Sequence, residues 1–121
     1  MRILFCGDRN WTDRNSILRV MKNAFSNATA FNNLVIHGNA RGADRLAASC
    51  ASELGIEIKS FPANWALYGK GAGPIRNQRM LDEGKPDLVI AFHSDIDNSK
   101  GTKDMINRAK LNKIPYAVYK S

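Results

Sequence analysis

A chain of 121 residues with 18 Lys and Arg against 11 Asp and Glu carries a formal charge of +7. That length supports one hydrophobic core and leaves no room for separate catalytic and regulatory domains, so one domain over residues 1–121 with one site is expected. The opening run M-R-I-L-F-C-G is too short for a signal peptide and far below the roughly 20 apolar residues of a membrane span, which argues against a membrane partner and for a soluble, cytoplasmic protein.

The first predicted strand is Ile3 to Cys6, followed by the loop G-D-R-N-W and a helix from about Asp13 to Phe25 that places Ile17, Leu18, Met21 and Phe25 on one face. A second strand, Leu34 to His37, leads through H-G-N-A-R-G-A-D into a helix from Gly42 to Leu54 with Leu46, Ala47, Cys50 and Leu54 at helical spacing; Gly55 caps its end. The third strand runs from Ile56 to Phe61. After it comes G-K-G-A-G-P-I-R-N at residues 69–77, with a helix expected to start at Pro74, a residue suited to a first helical position. A fourth strand, Leu88 to Phe92, precedes H-S-D-I-D-N-S-K-G-T and a helix from about Thr102 to Asn112, and Tyr116 to Tyr119 forms the last strand. Strands that alternate with helices in this way predict an α/β fold: a single Rossmann-like domain with a mostly parallel five-stranded sheet and helices on both faces.

Sheets of this kind bind ligands beyond the carboxyl ends of their strands, so the loops after the strands are the expected site. The run at 69–77 is neither a Walker A loop, since Gly71 follows Lys70 where Ser or Thr is needed, nor a dinucleotide fingerprint, since Pro74 follows Gly73. Gly7, Gly38, Asn39, Ala40, Gly42 and Ala43, together with Gly71, Ala72 and Gly73, are instead read as backbone that lets an anion approach helix N-termini, with Gly101 and Thr102 opening a further one. Arg9 and Arg76 are the charged contacts, because a guanidinium fork matches phosphate geometry; Asn77 accompanies Arg76. Trp11 and Trp65 stand in the edge loops, where stacking on a base and packing over the sheet end are equal alternatives. Asp44 suits ribose hydroxyls, a general base, or simple complementation of a helix dipole.

Cys6 and Cys50 lack the spacing or histidine company of a metal site and read as buried free thiols; His37 and His93 read as strand-end structural residues, and no metal is expected. The basic residues are spread along the chain without interleaved aromatics, which favours a phosphate-bearing small ligand over nucleic acid.

The series G-D-R-x-W, H-G-x-A-R-G-A-D-R-L-A, P-A-x-W-x-x-Y-G-K-x-A-G-P-I-R-N-x-x-M, P-D-L-V-I-A-F and G-T-x-D-M resembles the YspA-type, cpYpsA-related branch of the SLOG superfamily over nearly the whole chain. The resemblance implies a Rossmann-like domain that binds nucleotides or nucleotide-derived ligands, related to the DprA proteins and to the LOG phosphoribohydrolases. It also implies, from relatives in bacterial and phage conflict systems, an NAD-derived signal, and from the habit of SLOG proteins a homo-oligomer. LOG enzymes carry P-G-G-x-G-T-x-x-E, whereas this chain has N-S-K-G-T-K-D-M at residues 98–105, so the catalytic glutamate is missing and Asp44 or Asp104 are the candidate substitutes. The expected function is therefore binding or sensing of an ADP-ribose or NAD-like ligand with no cofactor required; an N-glycosidic or phosphoribosyl hydrolase is the second reading and a nucleic-acid-binding module the third.

Overall fold

The computed structural model describes residues 1–26 and 32–120. Its sheet holds β1 (Arg2–Gly7), β2 (Leu34–His37), β3 (Glu57–Ser60), β4 (Leu88–Phe92) and β5 (Tyr116–Tyr119) in the order β3-β2-β1-β4-β5, and every neighbouring pair is parallel. Parallel pairing demands a crossover between strands, and these are supplied by α1 (Arg14–Phe25), α2 (Ala43–Glu53), α4 (Ala72–Gly84) and α5 (Gly101–Leu111). A short helix, α3 (Trp65–Tyr68), precedes α4.

Side chains of one strand point alternately to the two faces of the sheet, and the sequence uses both. Ile3, Phe5, Val35, Ile90 and Phe92 pack under α1 and α2 against Ile17, Met21, Ala47 and Cys50. Leu4, Cys6, Ile36, Val89 and Ala91 face the other way, against Met80 and Leu81 of α4 and Met105, Ile106 and Ala109 of α5. This is why β1, β2 and β4 read as unbroken apolar runs while the edge strand β3, E-I-K-S, is exposed along its length. Both cysteines are free and buried, one in each layer.

Local signals set the helix ends. Asp13 accepts a hydrogen bond from the Ser16 backbone N–H to open α1. Past α2, Gly55 takes φ 69°, its N–H donating to Ser52 O while that of Ile56 donates to Ala51 O, the paired bonds of a Schellman motif. The expected start of a helix at Pro74 is corrected. The helix begins at Ala72, so Pro74 is its third residue. The physical reason is the same one that suggested the earlier boundary: the first four N–H groups of a helix lack intrahelical acceptors, so proline is tolerated throughout the first turn. The chain before it is already turned, through α3 and a single 3-10 turn at Gly69–Gly71, with the Asn64 side chain accepting from Leu67 N at 3.1 Å.

From β1 the chain winds outward to β2 and β3, then crosses to the opposite side of β1 for β4 and β5. The loops after β1 and β4 therefore part from each other, opening a crevice at the carboxyl edge between these two strands.

Candidate functional site

A cleft of about 390 Å³ fills that crevice. The loop after β1 gives Gly7, Asp8 and Arg9 to its wall, and the segment after β4 gives His93, Lys100, Gly101 and Thr102. Asp44 comes from the first turn of α2, and Arg76 and Asn77 from α4. Four elements that are distant in sequence thus converge on one edge, with Cys6, Met80 and Met105 as its apolar floor.

Asp44 is one of the two most buried polar residues of the cleft, with Asn77. Only 4% exposed, it accepts hydrogen bonds from Gly38 N at 2.9 Å and, at the longer distance of 3.4 Å, from Ala40 N. Burial pushes its carboxyl up to about 6, against the opposing pull of the Arg76 guanidinium and of those two N–H groups. Burial followed by the Arg76 charge holds His37 below its ordinary value, and burial with the nearby Asp44 charge raises the Cys6 thiol far above its own, which makes that sulfur a poor nucleophile. The Nδ1 of His37 accepts from Asn39 N at 2.9 Å, so this histidine is a neutral turn-former.

Arg76, on α4, ties that helix to the loop after β2. Its Nη1 donates to Gly38 O at 2.5 Å and its Nε to Asn77 Oδ1 at 3.0 Å, while Nη2 has no hydrogen-bond partner among the described residues. Asn77, 4% exposed, donates onward to Gly101 O at 3.3 Å and to Asp104 Oδ2 at 2.9 Å. The start of α5 is thereby tied to α4, and the N–H of Thr102 is held by Ser99 Oγ at 3.1 Å.

The glycines of the β2 loop do a different task from the one their sequence suggests. A Cβ on Gly38 would lie 2.4 Å from Arg76 Nη1, and one on Gly42, which takes φ 79°, would lie 2.3 Å from Asp8 O and 2.5 Å from the Arg9 carbonyl. These residues make room for the protein's own arginine and for the β1 loop. Ala43 is buried behind them, its N–H donating to Asp8 O at 3.1 Å.

A second groove of about 460 Å³ adjoins the cleft, sharing Arg9, Ala40 and Arg76 with it. Its other walls are Gly38, Asn39, Arg41, Arg45, Pro62, Ala63 and Trp65, the last 51% exposed. Arg41 and Arg45 stand within H-G-x-A-R-G-A-D-R-L-A, but the motif by itself does not single them out as ligand contacts.

Several expected residues lie elsewhere. Trp11 is buried against Phe92, with ring centroids 5.6 Å apart and Nε1 donating to Asp13 O and Ser16 Oγ, so of its two alternatives the packing one describes the fold. Gly71, Ala72 and Gly73 line neither cavity; Ala72 is buried, and a Cβ on Gly73 would only touch Trp65 Cη2 at an ordinary 3.5 Å. Asp104 is taken up by Asn77 and by Arg108, whose Nε donates to it at 2.8 Å. Asp8, His93 and Lys100 were visible only as members of strand-end loops; His93 Nε2 stands 4.0 Å from Asp8 Oδ2. Among the described residues no three His, Cys, Asp or Glu side chains gather as metal ligands would, and no helix is long and apolar enough to cross a membrane.

The pattern that defines the YspA, cpYpsA-related SLOG family matches residues 1–68, more than half of the chain. The chain belongs to that family. As a SLOG protein it falls in a class marked by nucleotide-related binding or modification. The matched segment carries Arg9, Asp44 and Trp65 and ends before Arg76. The chain is also similar to the gene 61 protein of Mycobacterium phage D29, at 30% identity over 119 residues that span 94% of this chain and 92% of the phage protein. No solved structure matches this SLOG chain.

Proposed function

We propose that the cleft between β1 and β4 binds a nucleotide-derived small molecule of the ADP-ribose or NAD type, with the phosphates held by Arg9, Arg76 and Lys100 beside the start of α5. The observation that carries this reading is the convergence of these three cations with the N-terminus of an 11-residue helix at the switch point of a parallel sheet. Asp44 and Asp8 supply the carboxylate acceptors that ribose hydroxyls require. Binding needs no cofactor in this account, and the protein acts in the cytoplasm as a sensor, in a homo-oligomer. The test is calorimetry and thermal unfolding with ADP-ribose, NAD and AMP. A ligand at a hundred times its dissociation constant stabilises the fold by about 2.7 kcal/mol; a millimolar panel that gives neither heat nor a shift in Tm removes the reading.

One observation favours hydrolysis as a second reading. Asp44, held near 6 within the cleft, has the acidity expected of a general acid or base at neutral pH, whereas Asp104 is occupied by Asn77 and Arg108. The binding account expects AMP and CMP to survive overnight incubation with the protein. Release of free base that disappears in Asp44→Asn promotes the hydrolase.

A further inference from the structure

The two cavities differ in chemistry as well as in place. The main cleft has two carboxylates, Asp8 and Asp44, and no Phe, Tyr or Trp along its wall. The adjoining groove has the reverse: four arginines, Arg9, Arg41, Arg45 and Arg76, the half-exposed ring of Trp65, and no Asp or Glu at all. None of those four arginines has an ion-pair partner within 4.0 Å among the described residues. Asp44 offsets part of the Arg76 and Arg9 charge from the main cleft, but no carboxylate lines the groove itself, so its four cations repel one another there and a bound polyanion relieves that repulsion. A large aromatic ring left half in water beside them offers a face for a planar base. Arg9 and Arg76 border both cavities and form the ridge between them.

We infer that the ligand spans both cavities in one direction: its base stacks on Trp65 in the groove, with Arg41 and Arg45 beside it, its phosphates cross the ridge of Arg9 and Arg76 toward Lys100 and the start of α5, and its distal ribosyl unit lies in the main cleft beside Asp44 and Asp8. This rests on the reading of the main cleft as a nucleotide site and adds the ligand's orientation and minimum size. The protein then selects a base, two or more phosphates and a further ribosyl group over a nucleoside monophosphate, whose single phosphate cannot reach from the stacking face to the far wall.

The test compares ADP-ribose with ribose 5-phosphate, which fits the main cleft alone, on the wild-type protein, Trp65→Ala, Trp65→Phe and Arg41→Ala/Arg45→Ala. Loss of one base–aromatic stack lowers affinity roughly 5- to 150-fold. Trp65→Ala is therefore expected to weaken ADP-ribose within that range and to leave ribose 5-phosphate unchanged, with Trp65→Phe close to wild type. The arginine pair weakens ADP-ribose by about tenfold or more, with a shallower dependence on salt. Trp65 is one of two tryptophans and the exposed one, so ADP-ribose quenches the wild-type fluorescence and ribose 5-phosphate does not. Equal ADP-ribose affinity in wild type and Trp65→Ala overturns the orientation while the main-cleft reading stands. Failure of both ligands to bind the wild-type protein removes the main-cleft reading and this inference with it. Affinity for single-stranded oligonucleotides that keeps rising with length beyond one nucleotide also overturns it, by marking the groove as a nucleic-acid path.

Discussion

Two glycine-bearing stretches, residues 38–42 and 69–73, look alike in the sequence and behave oppositely in the fold. In the first, added Cβ atoms would fall 2.3–2.5 Å from protein atoms, so Gly38 and Gly42 hold the Arg76 head and the β1 loop at a separation that no other residue permits. In the second, a Cβ on Gly73 or Gly71 would meet its nearest neighbour at 3.5 or 3.8 Å, an ordinary contact. Glycine content alone therefore does not mark a ligand loop. What an added methylene would strike, backbone or open space, separates a glycine that builds a site from one that merely eases a turn.

The largest effect expected from this contrast is at Gly42. Gly42→Ala forces both a strained positive φ and backbone contacts that cannot yield, and should cost roughly 3 kcal/mol or more of stability, read as a large fall in the urea midpoint. A near-normal midpoint would dissolve the distinction between the two stretches.

Next comes the pH dependence of the same region, through Asp44. Its folded value, about 6, lies above the 3.8 of the free side chain. Between those values the folded state binds more protons than the unfolded one, so stability falls as pH rises from about 4 to 6 and is level thereafter. The loss is on the order of 2–3 kcal/mol. Denaturant titrations at pH 4.5 and 7 check it, with Asp44→Asn as the control in which this part of the slope vanishes. An anion bound beside Asp44 raises its value further, so ADP-ribose, whose diphosphate has no ionisation near 6, binds more tightly at pH 5.5 than at pH 8. His37, held below its ordinary value, acts on stability in the opposite sense: the unfolded chain binds its proton more readily, so its contribution is lost as pH falls below about 6.5.

Gly38→Ala sharpens the comparison from a different side. Its Cβ meets the far end of a flexible side chain, so the fold yields by moving Arg76 and loses about 1 kcal/mol, while ligand affinity falls disproportionately. The smallest effect belongs to Gly73→Ala. In the first turn of α4, with φ negative and space available, alanine should stabilise the protein by about 0.5–1 kcal/mol and leave ligand affinity unchanged.

The same contrast explains which parts of the molecule were legible in the sequence. β1, β2 and β4 are buried on both faces, so each leaves a continuous apolar run, and α1 and α2 are bounded by Asp13 and Gly55, whose side chain or conformation ends a helix by itself. Loops that follow such strands must reach the ligand edge, which is why Arg9, Asp44, Arg76, Gly101 and Thr102 could be gathered before any coordinates. α3 left no signal because four residues, W-A-L-Y, are too few to show a period. The start of α4 lies two residues before the expected one because proline, though favoured at the first helical position, is tolerated through the whole first turn. The sequence leaves Trp11 two fates at the edge; the positions of Asp13 O, Ser16 Oγ and Phe92 draw its ring inward. Arg41 and Arg45 stand in a motif visible in the sequence, but the groove that sets them beside Trp65 and Arg76, like the crowding around Gly38 and Gly42, depends on packing between segments remote in sequence, which periodicity does not encode.

In the proposed function Arg76 serves a ligand as well as pinning the loop at Gly38, and Arg76→Ala separates these roles directly. Calorimetric affinity for ADP-ribose and unligated stability are measured on that one variant. Affinity is expected to fall by about ten- to more than a hundredfold, the cost of removing a charged partner from a partly buried site, with a stability loss of only about 1 kcal/mol. Unchanged affinity together with a destabilised fold would contradict the ligand role and leave Arg76 as a strut of the β2 loop.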